Sequence, residues 1–252
     1  MKKQCIKATE FERVGRTFVW RNIVWCGLSG TGIRFMTNAK KVSFHLIGDS
    51  SVHGQKTEGM ARVSIFVDDK RQKDVMIEEP YVKVAVELDP TENQFHKVQL
   101  IKLSECAMSA FGIEEVVLES DLDVMVSKVV QKDKKIEFIG DSITCGYGVD
   151  MEDPATSFRT DTEDCTKAYA YKTAKLLDAE YSLVSFSGYG IITGYTETDE
   201  MRRDQIVSAY YEKCGFSYAH PVAQGEDGPA FESVVWNFGE YVPDVVVVNL
   251  GT

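Results

Sequence analysis

Ile136-Glu137-Phe138-Ile139-Gly140-Asp141-Ser142-Ile143-Thr144 is a short apolar run that ends in a Gly-Asp-Ser turn. The residues that follow, Cys145-Gly146-Tyr147-Gly148, continue a stretch where a helix can begin. A serine between the carboxyl end of a parallel strand and a helix start lies where doubly wound folds place their active sites. Its own amide then sits at the positive end of the helix dipole and can stabilise an oxyanion. Gly140 lets the chain turn sharply beside a ligand. The competing reading is that Ser142 only caps the helix.

Working outward, Ala168 to Leu177 has helical apolar spacing, and a second short strand, Tyr181 to Phe186, follows it. Another helical stretch is predicted to lead to Trp236, before Asp244-Val245-Val246-Val247-Val248-Asn249-Leu250. A continuous valine run predicts a parallel strand buried on both faces. Strands alternating with helices predict an α/β doubly wound layer. Upstream, up to about residue 125, the rhythm differs. Val42 to Leu46, Arg62 to Val67 and Lys97 to Lys102 each alternate apolar and polar residues, as antiparallel strands do. Asp68-Asp69 and Asp89-Pro90 punctuate them, and no convincing helix interrupts, so a β-sandwich or jelly roll is expected. The charged stretch Gln131-Lys132-Asp133-Lys134 sets the expected boundary, with one domain over 1–130 and a second over 131–252.

The tripeptide also occurs at Gly48-Asp49-Ser50. Ser51-Val52-His53-Gly54 and a polar stretch follow, which reads as a loop between antiparallel strands with Ser50 a turn serine.

A net charge of -11 over 252 residues argues against nucleic acid and anionic membranes, whose binding needs a basic face. No apolar segment follows Lys2-Lys3, and none reaches the ~18 residues that span a bilayer. A cytoplasmic location is expected, or a secreted one if a leader has been removed. The six cysteines are scattered without a C-x-x-C pair, which predicts free thiols and no zinc site. Neither a metal nor a cofactor is expected.

Ile136 to Thr144 resembles block I of the SGNH/GDSL hydrolases. Ser185-Phe186-Ser187-Gly188-Tyr189-Gly190-Ile191 resembles block II, and Pro243 to Thr252 resembles the strand into block III, with Gly251 matching its glycine. More narrowly, the order of motifs resembles carbohydrate esterase family 2, in which an N-terminal jelly roll precedes a flavodoxin-like SGNH domain. Gly15-Arg16, His96 to Glu105 and Ala168-Tyr169-Ala170 share in that resemblance. It implies a serine esterase that removes O-acetyl groups from xylan, mannan or their oligosaccharides. Ser142 would be nucleophile and oxyanion donor, supported by Gly140 and Asp141. Gly188 would be a second donor, with Gly190 the less favoured match.

The family's third donor, the Asn of block III, and its histidine base would lie beyond Thr252. His45, His53 and His96 fall in the sandwich half, while His220 reads as a surface or cleft residue. A four-valine strand closing a chain would leave an open apolar edge. The second domain is therefore expected to be truncated at its C-terminal side, the natural protein to continue, and residues 1–252 alone to be nearly inactive. Two alternatives stay open. One is a GDSL lipase or lysophospholipase. The other is a non-catalytic carbohydrate-binding protein using Trp20, Trp25, Tyr147, Tyr189 or Trp236, of which Trp236 reads as core.

Overall fold

Period-two alternation builds the first half. In the strand Lys41–Gly48, Val42, Phe44 and Leu46 are buried while Lys41, Ser43 and His45 are only partly covered. The computed structural model describes residues 2–54, 57–88 and 94–251. Over residues 2–127 it shows two six-stranded antiparallel sheets, with single-turn 3-10 helices as the only described helical breaks. One sheet runs Thr17–Trp20, Ile23–Cys26, Phe111–Ser120, Lys41–Gly48, Tyr81–Glu87, with Lys2–Lys7 also paired to Phe111–Ser120. The other runs Val126–Ser127, Gly32–Thr37, His96–Lys102, Ala61–Val67, Lys70–Ile77, with Glu12–Val14 also paired to Gly32–Thr37. Phe35, Phe44, Val63, Ile65, Leu100 and Val116 belong to the core that joins them. The expected turn at Asp68-Asp69 joins Ala61–Val67 to Lys70–Ile77, and both aspartates have positive φ (49° and 62°), as a twisted two-residue hairpin requires. Asp89-Pro90 lies outside the described residues.

The second half is organised on Lys134–Gly140, which pairs in parallel with Ala179–Ser185 on one side and Val245–Asn249 on the other. The helix read from 168 to 177 is Tyr169–Leu176, packed on this sheet through Ala170 and Ala174. Two expectations fail. No α-helix leads to Trp236. Among the described residues, 187–244 contains only single-turn 3-10 helices and the ribbon Val222–Ala223/Glu226–Asp227. Glycines and prolines, from Gly188 and Gly194 to Pro221, Gly225, Gly228 and Pro229, interrupt any helical run. The segment is held by side chains instead. Phe186, Tyr189, Phe231 and Trp236 form one core with Trp25, Leu28 and Cys106 of the first half.

The valine strand is also not buried on both faces. It is an edge of the three-stranded sheet, and Val245, Val246 and Val248 remain 51%, 48% and 56% exposed. An edge strand has one neighbour, and among the described residues no layer covers its outer face.

Two buried ion pairs also cross between the halves. Arg34 donates to both oxygens of Glu180 (2.6 and 2.9 Å), and Arg16 donates to Glu137 of the central parallel strand at 3.0 Å. Five of the six cysteines are buried and all are unpaired, with Cys5 exposed. No helix among the described residues is long and apolar enough to cross a membrane.

Candidate active site

Parallel pairing sets the geometry. Gly140 is in register with Ser185 on one neighbour and with Asn249 on the other, so three strands end together. The turns after them, Asp141-Ser142, Ser187-Gly188 and Leu250-Gly251, therefore leave the same carboxyl edge, where α/β sheets bind ligands.

Asp141 opens the helix Ser142–Cys145 by accepting a hydrogen bond from the Ile143 amide (3.0 Å). Ser142 is the first residue of that helix, so its own amide has no partner within it. Gly146 closes the helix at φ 79°, donating to the Ser142 carbonyl. Gly140 is required by close approach, because a Cβ there would lie 1.9 Å from Thr144 Oγ1. Ser142 thus also occupies a helix start, as the capping alternative supposed, but Asp141 makes the capping bond. The serine hydroxyl is not used for it.

Gly188 has φ 77°, and a Cβ would meet nothing closer than Tyr195 Cβ at 3.8 Å. Gly190 differs in the way that matters for an oxyanion donor. Its amide is already donated to the Gln205 carbonyl at 3.3 Å. Gly251 lies two residues beyond the end of the valine strand and is exposed.

The sandwich half also reaches this edge. Glu105 accepts the Ser187 amide at 2.8 Å, and its own amide donates to Glu163 at 2.9 Å. Glu105, Glu163 and the Cys145 thiol bring one ligand-type atom each within 4.8 Å of one another, all buried. No local sequence pattern records this cluster, because its members come from three distant segments. Lys102 is fully buried beside it and donates to the Ser104 and Glu105 carbonyls at 2.9 and 2.6 Å. Burial, reinforced by the Glu105 charge, pushes Glu163 well above the usual carboxylate range, and burial also raises the Cys145 thiol. Burial pushes the Lys102 pKa down, against the charges of Cys106, Glu163, Asp49 and Glu105, which push it up.

The second Gly-Asp-Ser is more than a loose turn. Ser50 Oγ lies 3.3 Å from His220 Nδ1, and His220 Nε2 lies 3.1 Å from Asp227. Yet the amides around Ser50 are all committed. Ser50 N donates to the His220 carbonyl, Ser51 N to the Asp49 carboxylate and Val52 N to the Asp49 carbonyl. With those three amides taken, the set works as a staple between the halves. His45 pairs with Glu115 and His96 with Asp68, so no described contact brings an imidazole to Ser142.

Of the aromatics, Trp25 is fully buried and Trp236 and Tyr189 are core, which removes them as sugar platforms. Trp20 leans on Trp25 and under Arg21. Tyr147 is exposed just after the helix Ser142–Cys145 and stacks on Phe158, with ring centroids 5.1 Å apart.

Fold and site define a class: an antiparallel sandwich joined to a parallel α/β layer with a serine turn at its carboxyl edge. The chain shares its fold with a family two carbohydrate esterase from Clostridium thermocellum solved with cellohexaose (TM-score 0.74, 23% identity, 95% of this chain and 65% of that one). It is 36% identical over 120 residues to the cellulase/esterase CelE of Acetivibrio thermocellus, covering 48% of this chain and 12% of the relative. It is 25% identical over 202 residues to an acetylxylan esterase / glucomannan deacetylase of Cellvibrio japonicus, covering 79% of this chain and 50% of the relative. The chain thus spans half or less of these two curated relatives. No protein-family model matches it. The resemblance to carbohydrate esterase family 2 read from the motifs agrees with these similarities.

Proposed function

We propose that this chain carries the nucleophile and two oxyanion donors of a serine esterase that removes O-acetyl groups from xylan, mannan or their oligosaccharides. One observation carries the reading: Gly140, Ser185 and Asn249 end in register, which sends the serine turn and the Gly188 turn out of one edge. The likeness to an acetylxylan esterase / glucomannan deacetylase supports the substrate class.

In this mechanism Ser142 attacks the acetyl carbonyl and passes its proton to a histidine. The Ser142 and Gly188 amides receive the charge that develops on oxygen. Gly190 is left out because its amide is already spent. The histidine and the third donor, an Asn, come from residues after Thr252, as the family pattern places them. Residues 1–130 form the jelly-roll domain and 131–252 the first part of the hydrolase domain. The test is Ser142→Ala in the full-length protein, assayed on acetylated xylan, acetylated mannan and long-chain esters. Loss of acetate release from the polysaccharides, with little turnover of long chains in the parent, is expected. Preference for long-chain esters points to the lipase alternative.

A further inference from the structure

We propose that Glu105, delivered by the sandwich half, is a positioning residue for ester hydrolysis that ties the oxyanion turn to the nucleophile helix. The proposal rests on the assignment of Ser142 and Gly188 above. Glu105 lies three residues past the strand His96–Lys102, and its main chain is immobilised on both sides. Lys102 Nζ donates to its carbonyl (2.6 Å), and its amide donates to Glu163 (2.9 Å). Its side chain then reaches across to accept the Ser187 amide at 2.8 Å. Ser187 is the residue before Gly188. Cys145, whose sulfur is within 4.8 Å of the Glu105 carboxylate, ends the four-residue helix that Ser142 begins. One carboxylate therefore lies against the ends of both turns.

The chemistry explains why such a tie is needed. A glycine amide is a poor oxyanion donor unless its direction is fixed, and glycine itself supplies no side chain to fix it. Anchoring the preceding peptide removes most of that freedom, and misplacement by about 1 Å costs on the order of 10²-fold in rate. The placement is also expensive. Two carboxyl groups are buried side by side, and Glu163 Oε1 has no hydrogen-bond partner. A neutral or apolar filler would hold a packing site at lower cost. Titratable groups held in such costly surroundings are candidates for a functional role.

Glu105→Ala and Glu105→Gln in the full-length protein test this. The readouts are kcat and KM on 4-nitrophenyl acetate, expressed per serine titrated with a fluorophosphonate, and amide exchange at residues 186–189. The alanine variant is expected to lose about 10–100-fold in kcat with KM within about twofold, and to exchange faster at Ser187. The glutamine variant keeps an oxygen that can accept the Ser187 amide and should recover to within about fivefold. A purely structural role would reduce the number of titratable serines and leave kcat per serine intact, and that result overturns the proposal. So does unchanged exchange at Ser187. Should the alanine variant not fold, Glu105→Asp withdraws the acceptor by one methylene and carries the same expectation and the same refutation. Ser142→Ala separates the two readings: if it still hydrolyses the ester, the nucleophile is misassigned, whatever Ser187 exchange shows for Glu105.

Discussion

Glycines 188 and 190 share one turn, yet only the first is free to donate. Gly188→Ala meets only Tyr195 Cβ at an ordinary 3.8 Å, so its cost is the left-handed backbone, about 1–2 kcal/mol. We expect it to lower both Tm and kcat, while Gly190→Ala leaves kcat per folded molecule near wild type. Equal losses in steady-state assays would remove the distinction. Glu163 supplies a pH signature. Burial raises its pKa, so it stays protonated in the fold through a range where the unfolded chain ionises it. Its contribution is full below the usual glutamate range and is lost as pH rises towards the raised value. Glu163→Gln is neutral throughout. Its Tm should therefore gain on wild type as pH goes from 5 to 8, and a gap that stays flat or shrinks in calorimetry contradicts the assignment. These residue roles were only half legible in the sequence. Gly140, Asp141 and Ser142 are contiguous and announce themselves. Glu105, Cys145 and Glu163 meet only because a sandwich strand end, a short helix and a 3-10 segment converge, and no local pattern records that.

At the scale of elements, Arg16 is the main polar tie between the sandwich and the central parallel strand. Its guanidinium is fully buried against Glu137, bonded to the Tyr211 carbonyl, and stacked near Tyr211, Trp236 and Phe238. Ser182 and Tyr211 hydroxyls complete the Glu137 shell at 2.9 and 2.8 Å. Arg16→Ala strands a buried charge and should cost about 3–5 kcal/mol in urea titrations. Arg16→Ala combined with Glu137→Gln should recover part of that loss, and strict additivity of the two would argue against coupling. Periodicity located the sheet elements well, because alternation in Val42 to Leu46 is written by burial on one face, although Val98 to Lys102 is buried throughout. It failed for the valine run. Four valines look alike whether one neighbour or two cover them, and among the described residues the strand pairs on one side only. It failed again before Trp236, where aromatic packing, not helical hydrogen bonding, holds the segment.

For the molecule as a whole, the core around Trp25, Phe186 and Phe231 draws on both halves. Unfolding by heat should therefore give one calorimetric transition, although the two rhythms of the sequence read as two domains. Phe231→Ala, which empties a fully buried site, should lower that transition by about 3–5 kcal/mol without splitting it. Two resolved peaks in the wild type would show the halves to be independent. The sequence could separate the rhythms but not reveal the shared core, since Trp25 and Phe231 lie some two hundred positions apart.

Cys5 gives the molecule a practical property. It sits exposed on the strand Lys2–Lys7, far in sequence from Ser142, while the other five thiols are buried. Burial pushes Cys26 and Cys106 up to about 12 and Cys214 to about 11, which leaves them little thiolate at neutral pH. A maleimide dye added to native protein should therefore mark a single defined point. That gives a fluorescent handle on residues 1–252 without mutating any cysteine.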